Sequence, residues 1–207
     1  FYDKLVAADV DGVRVALEKG ASSNASFCTG ISNTSFCTGI GPDSYRETPL
    51  MIAVQFGDEN AAPMVRLLLE AGANTNAQDD DGWTALMHTT YAGAYSPPYY
   101  SAELMRILLK AGADPDKQNN DGETALMCAA GNSDRRCLET VRLLLENGAD
   151  PNIMDKEGDT ALMKAVEAAI PRTHIVRLLI AHGATCDSGN FISMFENSQE
   201  ITDYIDG

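Results

Sequence analysis

Apolar positions in this chain recur first within a unit and then as a series of units. The segments ETPLMIAVQFG (47–57), WTALMHTTYAG (83–93), ETALMCAAGNS (123–133) and DTALMKAVEAA (159–169) repeat one motif, its threonines 36, 40 and 36 residues apart. A second motif follows each copy: MVRLLLEAGANTN, LMRILLKAGADPD, TVRLLLENGADPN and IVRLLIAHGATCD, beginning at 64, 104, 140 and 175, with a weaker copy, VRVALEKGASSN (13–24), ahead of them all. Within it Val141, Leu144 and Leu145 fall at i, i+3 and i+4, which makes one apolar helix face. Thr48, Thr84, Thr124 and Thr160 stand where an N-cap belongs, because a hydroxyl there accepts a bond from an otherwise unpaired backbone N–H. The glycine that follows the helix in each second motif sits where a left-handed C-cap requires no Cβ. A polar run such as ADPDKQNNDGE, rich in turn formers, then joins one unit to the next.

Each unit therefore predicts a helix, a connection, a second helix and a turn. No unit of this size buries its apolar face alone, so the copies must stack and share a core as a solenoid. The order Asp-x-x-Gly-x-Thr-x-Leu, followed by a helix ending in Leu-Leu-Leu-x-x-Gly-Ala-Asp-x-Asn, resembles the ankyrin repeat from about residue 3 to about residue 205. The resemblance implies an all-α ankyrin-repeat solenoid of helix-turn-helix units with hairpin fingers, one domain spanning 1–207. Its repeats fall at about 1–25, 43–77, 78–117, 118–153 and 154–188, with an inserted finger at 26–47 and a C-terminal cap at 189–207. The chain departs from the family in having Thr-Pro-Leu-Met once and Thr-Ala-Leu-Met three times. Met51, Met87, Met127 and Met163 thus replace the family's histidine, and thioether packing is expected in place of its hydrogen bond. The interval from the threonine to the Leu-Leu-Leu run is also long for the family, which predicts enlarged inter-helix loops. TYAGAYSPPYYSAE (90–103) reads as the most extended of them.

Composition narrows the function classes. With 44% apolar residues the chain can bury a core, and 30 acidic against 15 basic residues give a formal charge of -15. Such a charge repels phosphate backbones and anionic lipid, so no nucleic acid is expected and a basic or uncharged partner is favoured. No run approaches a membrane-spanning length, so no membrane insertion is expected. Because the chain starts at Phe1 rather than Met, a preceding segment is expected, and any targeting signal there is not visible. The cysteines at 28, 37, 128, 137 and 186 are odd in number and form no Cys-x-x-Cys, which fits a reducing, cytoplasmic setting better than a disulfide framework or a zinc site. Asn24-Ala25-Ser26 and Asn33-Thr34-Ser35 have the form of glycosylation acceptors, a form that also arises by chance.

Chemistry is sparse. His88, His174 and His182 lie in different units and none has a nucleophile signature beside it. QDDDGWT resembles a calcium loop, but counting back from Gly82 puts Ala77 at the first ligand position and His88 at the bidentate Glu position, so both anchors fail and Asp79, Asp80 and Asp81 read as a solvated fingertip. There is no Gly-x-Ser-x-Gly, P-loop or dinucleotide fingerprint. The expectation is a non-enzymatic chain with no catalytic, cofactor or metal residues.

What the resemblance implies instead is protein binding on a concave surface. Carried onto this chain, the fingers are Asp80, Asp81 and Trp83; Asn120, Asp121 and Glu123; and Lys156, Glu157 and Asp159. The palm takes Phe56, Tyr91 and Asn132 beside Gln55, Gly131 and Glu167, with Ile52, His88, Cys128 and Lys164 at its wall. Tyr91, Tyr95, Tyr99 and Tyr100 surround Pro97 and Pro98, and such rings either form a binding hot spot or cover the loop's own floor. The partner expected is a protein with a basic, partly apolar surface, and the chain itself is expected to be monomeric. In the 26–47 insertion SFCTGI occurs twice, and its period of two permits a hairpin turning near Ser32-Asn33 with Cys28 facing Cys37. The other readings are a redox- or metal-responsive scaffold using Cys28 and Cys37, a chaperone-like stabiliser, and a secreted effector adaptor acting in a host cell.

Overall fold

The computed structural model describes residues 1–29, 45–55, 59–92, 98–132, 137–167 and 173–185. In chain order the elements are α1 (Tyr2–Val6), α2 (Val10–Glu18), β1 (Phe27–Thr29), β2 (Tyr45–Glu47), α3 (Pro49–Gln55), α4 (Ala61–Glu70), α5 (Ala85–Ala92), α6 (Pro98–Lys110), α7 (Ala125–Gly131), α8 (Cys137–Glu146), α9 (Ala161–Glu167) and α10 (Thr173–Ala181). The odd-numbered helices pack on one another in series, as do the even-numbered ones, and the two layers pack together within each repeat. This is the stacked all-α solenoid that the periodicity predicts.

One hydrophobic core runs its length, from Leu5 to Leu179. Leu68, Leu108, Leu144 and Leu179, at the same point of successive second helices, are 0% exposed. Met51, Met87 and Met127 are buried in the first-helix layer as the thioether substitution predicts, whereas Met163 is half-buried. The threonine caps form: Oγ1 of Thr84 and of Thr124 accepts the N–H of Met87 and of Met127, each at 3.3 Å. After the second helices the chain turns at a left-handed glycine, as at Gly148 with φ 88°, and Ala149 N–H reaches back to Leu144 O at 3.0 Å.

Polar side chains add a second inter-repeat bond system. Asn74 N–H donates to Asn24 Oδ1 (2.7 Å), Asp114 N–H to Asn76 Oδ1 (2.8 Å), Asp150 N–H to Asp116 Oδ1 (2.8 Å) and Thr185 N–H to Asn152 Oδ1 (2.7 Å). Asn24 Nδ2 also donates to Gly72 O at 3.0 Å, so both ends of this amide serve the stack. Exposed pairs between second helices, Arg66 with Glu103 and Arg106 with Glu139, add less than about 1 kcal/mol each.

Two local expectations are corrected. Five residues separate first from second helix in each of the four full repeats, so the loop of repeat 78–117 is no longer than the rest. Its 40-residue interval exceeds 36 by four residues, one of which lengthens α5 (8 residues against 7 in α7) and three α6 (13 against 10 in α8). Tyr99 and Tyr100 accordingly lie in the first turn of α6 and not in a loop, because Pro98 takes the first helical position, where its missing N–H costs nothing. In the inserted finger β1 pairs antiparallel with β2, which sets Arg46, and not Cys37, opposite Cys28. Cys37 and the Ser32-Asn33 turn lie outside the described residues.

Candidate functional site

The turns between repeats are built from their bases outward. At each base one side-chain oxygen accepts two backbone N–H groups. Asp79 Oδ1 takes those of Asp81 (3.0 Å) and Trp83 (2.7 Å), Asn119 Oδ1 those of Asp121 (3.0 Å) and Glu123 (2.8 Å), and Asp155 Oδ1 those of Glu157 (3.0 Å) and Asp159 (2.8 Å). Neighbouring fingers are tied by backbone bonds, Asn120 N–H to Asp81 O (2.9 Å) and Lys156 N–H to Asp121 O (3.0 Å). The hairpin joins the row where Arg46 N–H donates to Asp80 Oδ2 at 3.1 Å, and Asn120 Nδ2 donates to Asp80 O at 2.8 Å. Because the base residues supply the turn's hydrogen bonds, Asp80, Asp81, Asn120, Asp121, Lys156 and Glu157 stand exposed at the tips. Trp83, Glu123 and Asp159 follow, half-buried, where each finger meets its helix.

Behind the fingers, the position four residues after each capping threonine forms the wall. His88 Nε2 lies 3.0 Å from Asp79 Oδ2, and its ring is tilted 44° to Trp83 with centroids 5.6 Å apart. Lys164 Nζ lies 2.7 Å from Asp155 Oδ2 and 3.2 Å from Asp159 Oδ2. Burial alone would raise the Asp155 carboxyl, but the Lys164 ammonium and the N–H groups of Asp159 and Glu157 outweigh it, so the group is held below the usual carboxylate range. Lys164 is correspondingly raised, first by its bond to Asp155 and then by Asp159, against its own partial burial.

Between these pairs Cys128 is 5% exposed, and burial, reinforced by the Glu123 charge, pushes its thiol up to about 12. A thiol in that state is no nucleophile at neutral pH. Iodoacetamide at pH 7.5 is expected to leave Cys128 unmodified in the folded protein and to label it in urea, with intact-mass and peptide analysis as the check.

The sequence-predicted residues thus separate into groups. Asp80, Asp81, Asn120, Asp121, Lys156 and Glu157 share one row of tips, and Trp83, His88, Glu123 and Asp159 lie behind it. Asn132, expected on the palm, spends its Nδ2 on Thr90 O at 2.8 Å and so bridges two repeats. Tyr91 belongs to the last turn of α5. Phe56 and Tyr95 lie outside the described residues. Sequence reasoning missed the finger-base residues Asn119 and Asp155 and put Asp79 at a solvated fingertip, whereas its carboxylate is buried at the base beside His88; the available signal was an acid nine residues before a wall His or Lys, at 79 and 88 and again at 155 and 164. Among the described residues no helix is long and apolar enough to cross a membrane.

A family described as ankyrin repeats, in three copies, matches the chain over residues 9–97 and 94–190. No curated protein matches it.

Proposed function

Since the chain belongs to the ankyrin-repeat family, whose members are generally protein–protein interaction modules and typically not enzymes, we propose that it binds a partner protein with a basic, partly apolar surface through its fingers and concave face. The observation that carries this reading is the division of labour in the fingers: base residues supply the hydrogen bonds, and the tip carboxylates of Asp81, Asp121 and Glu157 remain exposed on mutually bonded turns. A surface ordered before binding pays little entropy on association. Acidic tips steer a basic partner and set the salt dependence, while the half-buried Trp83 supplies rigid contact area. The chain acts as a monomeric scaffold in this account.

The test compares affinity capture by the natural chain, by Asp81→Asn with Asp121→Asn and Glu157→Gln, and by Trp83→Ala. One protein is expected on the natural chain, with its association rate reduced about tenfold or more by the triple change and falling with ionic strength. Trp83→Ala is expected to speed dissociation. Capture that ignores all four residues contradicts the reading.

A further inference from the structure

At the wall and finger positions repeat 118–153 differs from the other full repeats. In repeat 78–117 the base acid Asp79 meets His88 at 3.0 Å, and in repeat 154–188 Asp155 and Asp159 meet Lys164 at 2.7 and 3.2 Å. In repeat 43–77 the wall residue is the apolar Ile52, and the acid before the threonine, Glu47, is held instead by the Gln55 side-chain amide. Repeat 118–153 has neither device. Its wall residue is Cys128, and the counterpart of Gln55 is Gly131, whose Cβ would meet nothing nearer than Lys164 Cβ at 3.6 Å. Among the described residues the side chain of Glu123, in the place of Glu47 and Asp159, is bonded by the neutral Asn119 Nδ2 at 3.2 Å and by no cation. At the equivalent position Asp159 reaches the wall residue Lys164 and Glu47 reaches Gln55, so a carboxylate placed there lies within reach of the wall and of the position Gly131 occupies. Lys164, whose Cβ borders Gly131, directs its ammonium to the two carboxylates of its own repeat.

We infer that a lysine or arginine side chain of the partner enters the concave face over Cys128 and Gly131 and pairs with Glu123, completing in the complex the carboxylate–ammonium contact that Asp159 makes with Lys164 in the next repeat. This rests on the concave face being the binding surface. Glu123 then sets specificity for a basic anchor, and the small residues at 128 and 131 give its stem room. A charged hydrogen bond in a partly desolvated groove is worth more than the exposed fingertip contacts.

Two measurements test this. In the free protein Cys128→Lys supplies the cation internally, with Cys128→Met as the uncharged control of similar length. The lysine variant is expected to melt about 2 °C or more above the methionine variant, and adding Glu123→Gln to both is expected to remove the difference. Equal melting temperatures overturn the inference. In parallel, a random peptide library displayed on phage is selected on the natural protein. Binders are expected to carry a basic residue whose replacement by alanine weakens binding about tenfold or more. Glu123→Gln is expected to cost a similar factor, and Cys128→Lys to abolish binding. Binders that need Trp83 but neither a basic residue nor Glu123 overturn the inference and leave the concave-face reading standing. A selection yielding no binder sensitive to Trp83 or the fingertips counts against that reading, and the inference falls with it.

Discussion

Asp155→Ala is expected to lower the unfolding free energy by about 3 kcal/mol. The side chain does two jobs at once: Oδ1 accepts the N–H groups of Glu157 and Asp159, and Oδ2 faces Lys164 at 2.7 Å with the carboxylate buried. Alanine leaves two N–H groups and part of an ammonium without their partner. Asp155→Asn keeps the Oδ1 acceptor and loses the charge, so a smaller cost of about 1 kcal/mol is expected, in keeping with the natural Asn119 at the equivalent base. The difference between natural chain and Asp155→Asn carries a pH signature. Because the folded Asp155 titrates below its unfolded value, its charge contributes stability above about pH 4, and that contribution is lost as pH falls through the folded value. Lys164 is raised, so its share is complete below about pH 10 and is lost only as pH climbs through its folded value. Urea unfolding should therefore find a constant gap between the two proteins near neutrality that narrows below pH 4. A gap unchanged at pH 3 contradicts the assigned pairing.

Gly122→Ala should cost about 3 kcal/mol where Gly148→Ala costs about 1. Both glycines are left-handed, with φ of 83° and 88°, so each substitution carries the strain of an L-residue in that region. They differ in surroundings. A Cβ at Gly148 meets nothing within 4 Å, whereas at Gly122 it lies 2.9 Å from Lys156 N and 3.0 Å from Asp155 Cα. Those are backbone atoms of the next finger, held in place by the bond from Lys156 N–H to Asp121 O. The close approach of one turn to the next thus requires a glycine at 122. Thermal unfolding of the two variants separates strain from crowding, and equal losses would show that the fingers are not packed as described.

The parts of this molecule that were legible in the sequence are those whose cause is local. Thr124 caps its helix by reaching a backbone N–H three residues on, and Leu144 is buried because it recurs on one helix face, so both can be read from spacing alone. The four additional residues of repeat 78–117 were not so readable, since an interval counts residues without saying whether they lengthen a loop or a helix. Pro98 was the deciding signal, being suited to a first helical position. The register of the inserted finger was equally open, because a period of two is satisfied by many partners and nothing near Cys28 selects Arg46 over Cys37. Asp79 reads as a solvated fingertip and Asp155 escapes notice for a related reason: an acid is assigned to the surface by default, and only the folded finger brings it to His88 or Lys164.

Asn132 shows the converse limit. Its place in the repeat marks it for the palm, yet its amide also closes α5 of the preceding repeat by bonding Thr90 O.

The central claim is that the fingers and first helices, and not the second helices behind them, meet the partner. Amide hydrogen exchange of the chain, alone and with its captured partner, tests it most directly. Slowed exchange is expected at 80–84, 120–124 and 156–160 and along α5 and α7, with α4, α6 and α8 unchanged. Protection confined to α4, α6 and α8 would contradict the account and move the binding surface to the opposite side of the solenoid.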